Sequence, residues 1–243
     1  VRPFLLLATR ADDAVADAEH AAILRYGGLR PDELLRVRLE RAPLPDLDLA
    51  GLSGVVVGGS PFCTSDPEED KPAVQRRVER ELAGLLDRVL AEDVPFLGAC
   101  YGVGTLGVHQ GGVVDRTYGE PIGTVPVTLT DAGRADPLFA GLPPVFDAFV
   151  GHKEALRTPP PAATVLATSP DCPVQAFRVG EHQYATQFHP ELDVDGIVER
   201  VTVYRRSGYF PPEEYEDLVA RLRLARAEVP PRLLAAFVQR YRR

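Results

Sequence analysis

Methionine is absent, cysteine occurs only three times, and aromatic residues make up 7% of the 243-residue chain. Cys63, Cys100 and Cys172 are too few, and odd in number, for a disulfide framework. That excludes the small stapled secreted folds and points to a reducing compartment, the cytoplasm, where thiols stay free. The lack of methionine extends to position 1 and is read as removal of an initiator, with no functional meaning. Positive charge is also scarce, since 27 Lys and Arg against 35 Asp and Glu leave a formal charge of -8. Nucleic acid and anionic membrane surfaces are excluded as partners, because both call for a concentrated basic field. Long apolar runs are missing too. Phe4–Ala8 stops at Thr9-Arg10, too soon for a signal-peptide core or a membrane span.

What is present suffices for a buried core: 45% of the residues are hydrophobic, and the length allows one large domain or two small ones. Short apolar runs at Phe4–Ala8, Gly54–Val57, Pro95–Gly98, Val125–Leu129, Val174–Arg178 and Tyr184–Phe188 have the form of strands buried on both faces. Helical spacing lies between them. Ala14–Tyr26 ends at the capping pair Gly27-Gly28, and Pro72–Ala91 carries one stripe of Val and Leu. Alternating strand and helix predicts an α/β fold, a doubly wound, mostly parallel sheet with helices on both faces. Residues 118–180, richer in proline, are expected to add edge strands, with Pro159-Pro160-Pro161 as a surface turn. We expect one main domain over residues 1–210 and a helical extension over 211–243 packed on it, with helices at Glu213–Ala227 and Arg232–Tyr241. Arg240, Arg242 and Arg243 then complement a helix C-terminus.

The strongest local signal is Pro95-Phe96-Leu97-Gly98-Ala99-Cys100-Tyr101-Gly102. A buried strand running into Gly-x-Cys-x-Gly and then a helix is the cysteine form of the nucleophile elbow, a sharp turn that presents one side chain to solvent. The helix dipole there is expected to lower the thiol pKa of Cys100. Taken alone, the stretch reads equally well as a small buried cysteine between packing glycines. A second segment, Gln183–Glu191, alternates and then halts at His189-Pro190-Glu191. A histidine at the carboxyl end of a parallel strand lies on the edge where open α/β sheets place their chemistry. Glu191 is positioned to fix its tautomer. For the tetrahedral oxyanion, Gly58-Gly59-Ser60 ends another strand, so the amides of Gly59 and Tyr101 are the expected donors.

In this order and spacing, Gly-Gly-Ser-Pro at 58–61, Gly-Ala-Cys-Tyr-Gly at 98–102, Gly111-Gly112-Val113-Val114, Tyr118-Gly119 and Phe188-His189-Pro190-Glu191 resemble the class I glutamine amidotransferases. There is particular likeness to the amidotransferase domain of GMP synthetase. It implies a catalytic set of Cys100, His189 and Glu191 that hydrolyses glutamine through a γ-glutamyl thioester, without metal or organic cofactor. It also implies an ammonia-accepting synthase, and the chain has no Gly-x-x-x-x-Gly-Lys-Ser/Thr loop of its own. Either a separate partner takes the ammonia or the protein acts alone as a hydrolase. One position departs from the resemblance: the family's substrate-holding glutamine, four residues after the nucleophile, is here Gly104. This keeps open a γ-glutamyl peptide or amide hydrolase, and a non-catalytic binding or regulatory homologue.

Ser60, Gly104 and His152 are the remaining candidates for substrate contact, although His152 in Val150–Glu154 reads more readily as a solvated loop residue. His20, His109 and His182 are read as structural or exposed, Cys63 as a loop residue and Cys172 as a turn residue. No histidine has metal-ligand spacing to a cysteine.

Overall fold

A computed structural model describes residues 1–206 and 208–243. In chain order the strands and helices begin with β1 (Phe4–Ala8), α1 (Asp13–Gly27), β2 (Leu34–Arg38), β3 (Gly54–Val57), α2 (Ala73–Ala91), β4 (Phe96–Ala99) and α3 (Tyr101–His109). There follow β5 (Val113–Asp115), β6 (Glu120–Leu129), α4 (Asp131–Ala135), β7 (Val145–His152), β8 (Ala155–Thr158), β9 (Thr164–Thr168), β10 (Ala176–Val179) and β11 (Gln183–Thr186). The chain closes with α5 (Val194–Val203), α6 (Tyr215–Leu224) and α7 (Pro230–Tyr241).

Nine strands form one sheet in the order β2-β1-β3-β4-β11-β10-β9-β6-β7. The first five are mutually parallel, and the last four continue the sheet antiparallel. The small pair β5-β8 lies apart. Strand alternation sorts the core into two layers. Phe4, Leu6, Val56, Leu97 and Tyr184 face α1 and α7, whereas Leu5, Leu7, Val55, Val57, Phe96 and Ala185 face α2 and α3. Every residue of β1, β3, β4 and β11 is buried, as strands covered on both faces must be.

Local chemistry sets the helix limits. Asp12 accepts from the Val15 amide to start α1, and Gly28, at φ 61°, ends it in the left-handed region. Along α2 the stripe Val78, Leu82, Leu85, Leu86 and Val89 is buried. The segment expected as Glu213–Ala227 is a short 3-10 turn followed by α6, which packs through Leu218 and Leu222 onto Ile197, Val201 and Phe149. In α7, Leu233, Leu234 and Phe237 enter the α1-side core, and the Phe237 and Phe4 rings stand 6.0 Å apart. The terminal residues are tied in by the Arg2 amide donating to the Arg243 carbonyl at 2.7 Å. Strand β2 was not anticipated. Its Leu-Leu-Arg-Val-Arg pattern, buried only at Leu34 and half-exposed elsewhere, is that of an edge strand and lacks a continuous apolar run.

Candidate active site

Four adjacent parallel strands, β1, β3, β4 and β11, deliver their carboxyl ends to one edge of the sheet. Arg10, Gly58-Gly59-Ser60, Cys100 and Gln187-Phe188-His189 follow those strands in turn. This is the edge at which open α/β sheets bind ligands. A cleft of about 690 Å³ opens there, and Arg10, Ser60, Cys100, Tyr101, Gln187 and His189 are among the residues lining it.

Cys100 has φ 53° and ψ -87°, and besides Asp93 it has the only positive φ of a non-glycine residue among those described. A strained residue of this kind costs on the order of 1–3 kcal/mol and persists where its surroundings over-determine it. Two features hold it here. The Cys100 amide donates to the Thr186 carbonyl of β11 at 2.7 Å. Gly98 and Gly102 pass so closely that a Cβ on Gly98 would lie 2.7 Å from the Gly102 Cα. The Gly-x-Cys-x-Gly spacing therefore lets the strand and helix touch at the elbow.

His189 is 6% exposed, and its amide donates to the Phe149 carbonyl of β7 at 3.1 Å. Its Nδ1 stands 2.8 Å from Oε1 of Glu191, which is 2% exposed. A carboxylate at that distance favours the tautomer with the proton on Nδ1, leaving the Nε2 lone pair available as a base. Arg200 of α5 joins from the other side, with Nη2 3.3 Å from the same Glu191 oxygen and Nη1 3.1 Å from His189 Nδ1. The imidazole edge lies over Gly59, where a Cβ would come within 2.7 Å of His189 Cε1, so only glycine fits.

Burial sets the protonation states. It pushes the Cys100 thiol up to about 12, with Arg10 the strongest opposing charge. The expected fall from the helix dipole is thus overridden: enclosure by protein disfavours the thiolate more than one helix end favours it. Burial also lowers the His189 pKa below its ordinary 6.5, against the pull of Glu191 and with the aid of Arg200. Glu191 is likewise penalised by burial, yet the hydrogen-bonded His189 and Arg200 hold it well below the usual carboxylate range. The resting site therefore consists of a neutral thiol, a neutral imidazole and an ionised carboxylate. If His189 is the base, activity should persist below pH 6.5, because its neutral form survives to lower pH than that of a free imidazole. A pH profile of kcat/KM whose acid limb lies above that value would contradict this assignment.

The structure separates the weaker candidates. Ser60 lines the cleft, but its hydroxyl accepts from the Phe62 amide at 3.0 Å. Gly104 contributes no surface to the cleft wall. A Cβ there would collide with Thr64 Oγ1 and come within 3.1 Å of Glu154 Oε1. Glu154 is locked in place by the Thr64 and Ser65 amides, each donating at 2.7 Å. The space next to the elbow helix is thus filled by a threonine and a carboxylate.

His152 corrects an expectation. It ends β7 and is 5% exposed, with Nδ1 2.9 Å from the Glu154 carbonyl and Nε2 2.7 Å from Glu120 Oε2. Its burial comes from pairing between β6 and β7, which local sequence does not reveal. Cys172 lies beside it, so Glu120, His152 and Cys172 bring their ligand atoms within 4.8 Å of one another. The expectation that no histidine pairs with a cysteine in metal-like fashion held only along the chain; folding brings this set together. Its atoms are already engaged. Glu120 also accepts from Ser169 at 2.8 Å and Gln175 at 2.5 Å, and the Cys172 thiol donates to the Val174 carbonyl at 3.5 Å.

Among the described residues there are therefore two Cys-His-Glu sets. Cys172 is fully buried and does not line the cleft, whereas Cys100 is half-buried and does. Cys63 also borders the cleft, but burial raises its thiol to about 11.

Sequence reasoning missed Arg10, Glu19, Gln187 and Arg200. Gln187 Nε2 approaches Cys100 Sγ at 4.0 Å. Glu19 is 1% exposed and shares the buried face of α1 with Val15, Ala16 and Ile23. A charged residue on an apolar stripe was the one available signal.

Residues 35–195, more than half of the chain, match the family "Glutamine amidotransferase class-I", and the chain belongs to that family. It is a Cys-His-Glu enzyme class, and the GMP synthases are among its relatives. The GMP synthase (glutamine-hydrolyzing) of Porphyromonas gingivalis is 33% identical over 151 residues, 61% of this chain and 26% of that protein. That of Aeropyrum pernix is 32% identical over 163 residues, 65% of this chain and 29% of that protein. The chain thus spans under a third of the length of these relatives. Among solved structures, a glutamine amidotransferase from Thermotoga maritima superimposes with a TM-score of 0.73 at 21% identity, covering 99% of this chain and 98% of that one. A glutamine amidotransferase from Methylobacillus flagellatus gives 0.71 at 20% identity, over 99% and 94%. The fold is shared with both.

Proposed function

We propose that the protein hydrolyses the side-chain amide of glutamine, with Cys100 as nucleophile, His189 as acid and base, and Glu191 as the group that orients it. The Cys100 proton passes to His189 Nε2 while the sulfur pair attacks the amide carbon and the carbonyl pair moves onto oxygen. The amides of Gly59 and Tyr101 receive that oxyanion. Collapse expels ammonia, which takes its proton from His189, and leaves a γ-glutamyl thioester. Water, deprotonated by His189, then releases glutamate and restores the thiol. One observation carries this reading: the strained Cys100 elbow and the Glu191-oriented His189 line the same cleft.

By analogy with the GMP synthases, a separate synthase is the proposed ammonia acceptor. Among the described residues no helix is long and apolar enough to cross a membrane, and the three free cysteines fit a reducing cytoplasm. A second reading, a γ-glutamyl amide or peptide hydrolase, is favoured by the packing at Gly104, where Thr64 and Glu154 leave no room for a glutamine side chain. Glutamate release from glutamine and from a panel of γ-glutamyl dipeptides and amides separates the two. Turnover of glutamine at the highest kcat/KM supports the first; preference for a substituted amide moves the protein to the second. No release from any of them sinks both.

A further inference from the structure

Behind the His189–Glu191 pair lies a set of buried charges that the proposed reaction steps leave unused. Arg10 follows β1 and is 4% exposed; its Nε donates to Glu19 Oε1 of α1 at 2.9 Å, and Glu19 is 1% exposed. Arg200 of α5 reaches the same Glu19 oxygen at 3.8 Å while contacting Glu191 at 3.3 Å. Two arginines and two glutamates thus form a buried set of zero net charge around the imidazole. Burying four charges is expensive, and replacement by apolar side chains is often neutral or stabilising. Packing stability gives this set no reason to exist.

Its placement suggests a reason. A Cβ on Gly59 would meet Arg10 Nη2 at 2.5 Å and His189 Cε1 at 2.7 Å, so the guanidinium and the imidazole edge meet over the glycine-rich strand end. On the opposite side, Glu19 Oε2 has no hydrogen-bond partner and lies against Gly58, where a Cβ would be 2.5 Å away. Arg10 is therefore pinned by Glu19 on one side and met by Tyr204 on another, and it lines the cleft that holds Cys100.

We propose that Arg10 is the fixed counter-charge for the anion formed on Cys100 during proton transfer, and that Glu19 is a positioning residue that holds its guanidinium beside His189. This rests on Cys100 as the nucleophile. The charged and titratable groups around the cleft that holds the sulfur are Arg10, His189, Glu191, Arg200, Glu154 and Tyr209, with Cys63, Tyr101, His152, Lys153 and Tyr204 also in its wall. Of the charges, Arg10 acts most strongly on the thiol, while on the imidazole it ranks behind Glu191 and Arg200. A cation so placed favours moving the proton from sulfur to nitrogen, because it stabilises the anion left behind more than it opposes the imidazolium formed. No net charge enters or leaves the site in that step.

The test needs no substrate. The rate of Cys100 alkylation by iodoacetamide is followed against pH, with peptide-resolved mass spectrometry to separate it from Cys63 and Cys172. In Arg10→Gln alkylation of Cys100 at pH 7 is expected to slow roughly tenfold; Arg10→Lys is expected to keep most of the wild-type rate. Because Arg10→Gln strands a buried Glu19, the double variant Arg10→Gln/Glu19→Gln is measured as well, and its Cys100 should also be alkylated more slowly. A folded double variant whose Cys100 is alkylated at pH 7 as fast as in wild type, or faster, overturns the proposal. Loss of glutamine hydrolysis in wild type would instead strike the functional reading, since alkylation reports on the thiol alone.

Discussion

Cys100→Ser is expected to cut glutamate release from glutamine by at least about 10³-fold, because a serine hydroxyl beside a neutral imidazole is a far weaker nucleophile than a thiolate. The protein should fold as before, since the substitution keeps the side chain small at a position anchored through its backbone amide. The informative comparison is Cys172→Ser. That residue belongs to the other Cys-His-Glu group, is buried in the segment between β9 and β10, and is already bonded to Val174. Its loss should leave kcat within a few-fold of wild type, as expected for a side chain that never meets substrate. If the two variants exchange phenotypes, the nucleophile is Cys172 and the elbow assignment is wrong. Trapping with a γ-glutamyl diazo ketone and locating the modified peptide gives the same answer independently of turnover.

The second large effect is expected at Glu191. Glu191→Gln keeps the shape but removes the charge that selects the Nδ1–H tautomer of His189. With the carboxylate gone, Arg200 Nη1, at 3.1 Å from Nδ1, becomes the dominant neighbour. An arginine can only donate, so it favours a bare Nδ1 and a proton on Nε2, the nitrogen that must accept from the thiol. A drop in kcat of about 10²- to 10⁴-fold follows, the range seen when a base loses its orienting acid. The variant should also be less stable, because Arg200 is left buried with one fewer anion. The two effects separate experimentally: thermal melting reports the second, and kcat measured well below the melting temperature reports the first. Activity within tenfold of wild type in a folded Glu191→Gln protein would show that the imidazole needs no such partner here.

The division between what was legible in the chain and what was not follows interaction range. Strands β1, β3 and β4 announce themselves as continuous apolar runs because both of their faces are covered, whereas the equally buried β11 carries Gln183 and Thr186 at its ends. The cysteine elbow, the His189-Pro190-Glu191 strand end and the glycine pair at 58–59 are local patterns, each needing specific residue types at fixed short offsets. The half-exposed β2 and the mixed pattern of β7 were harder to read, since an edge strand needs no unbroken apolar run. His152 was misjudged for a related reason: its burial depends on Glu120, thirty-two residues away on the paired strand.

By itself, then, the sequence determined the α/β architecture and the class of chemistry, and it singled out Cys100, His189 and Glu191 as candidates, because these rest on periodicity and short-range geometry. Tertiary structure decided the rest. It put Cys100 in the cleft wall and buried Cys172 away from it, reversed the expected shift of the Cys100 thiol by enclosing it, filled the space beside Gly104 with Thr64 and Glu154, and set Arg10, Glu19 and Arg200 around the imidazole. Desolvation and Coulomb interaction depend on distances in space between groups far apart along the chain, and only the folded sheet sets those distances.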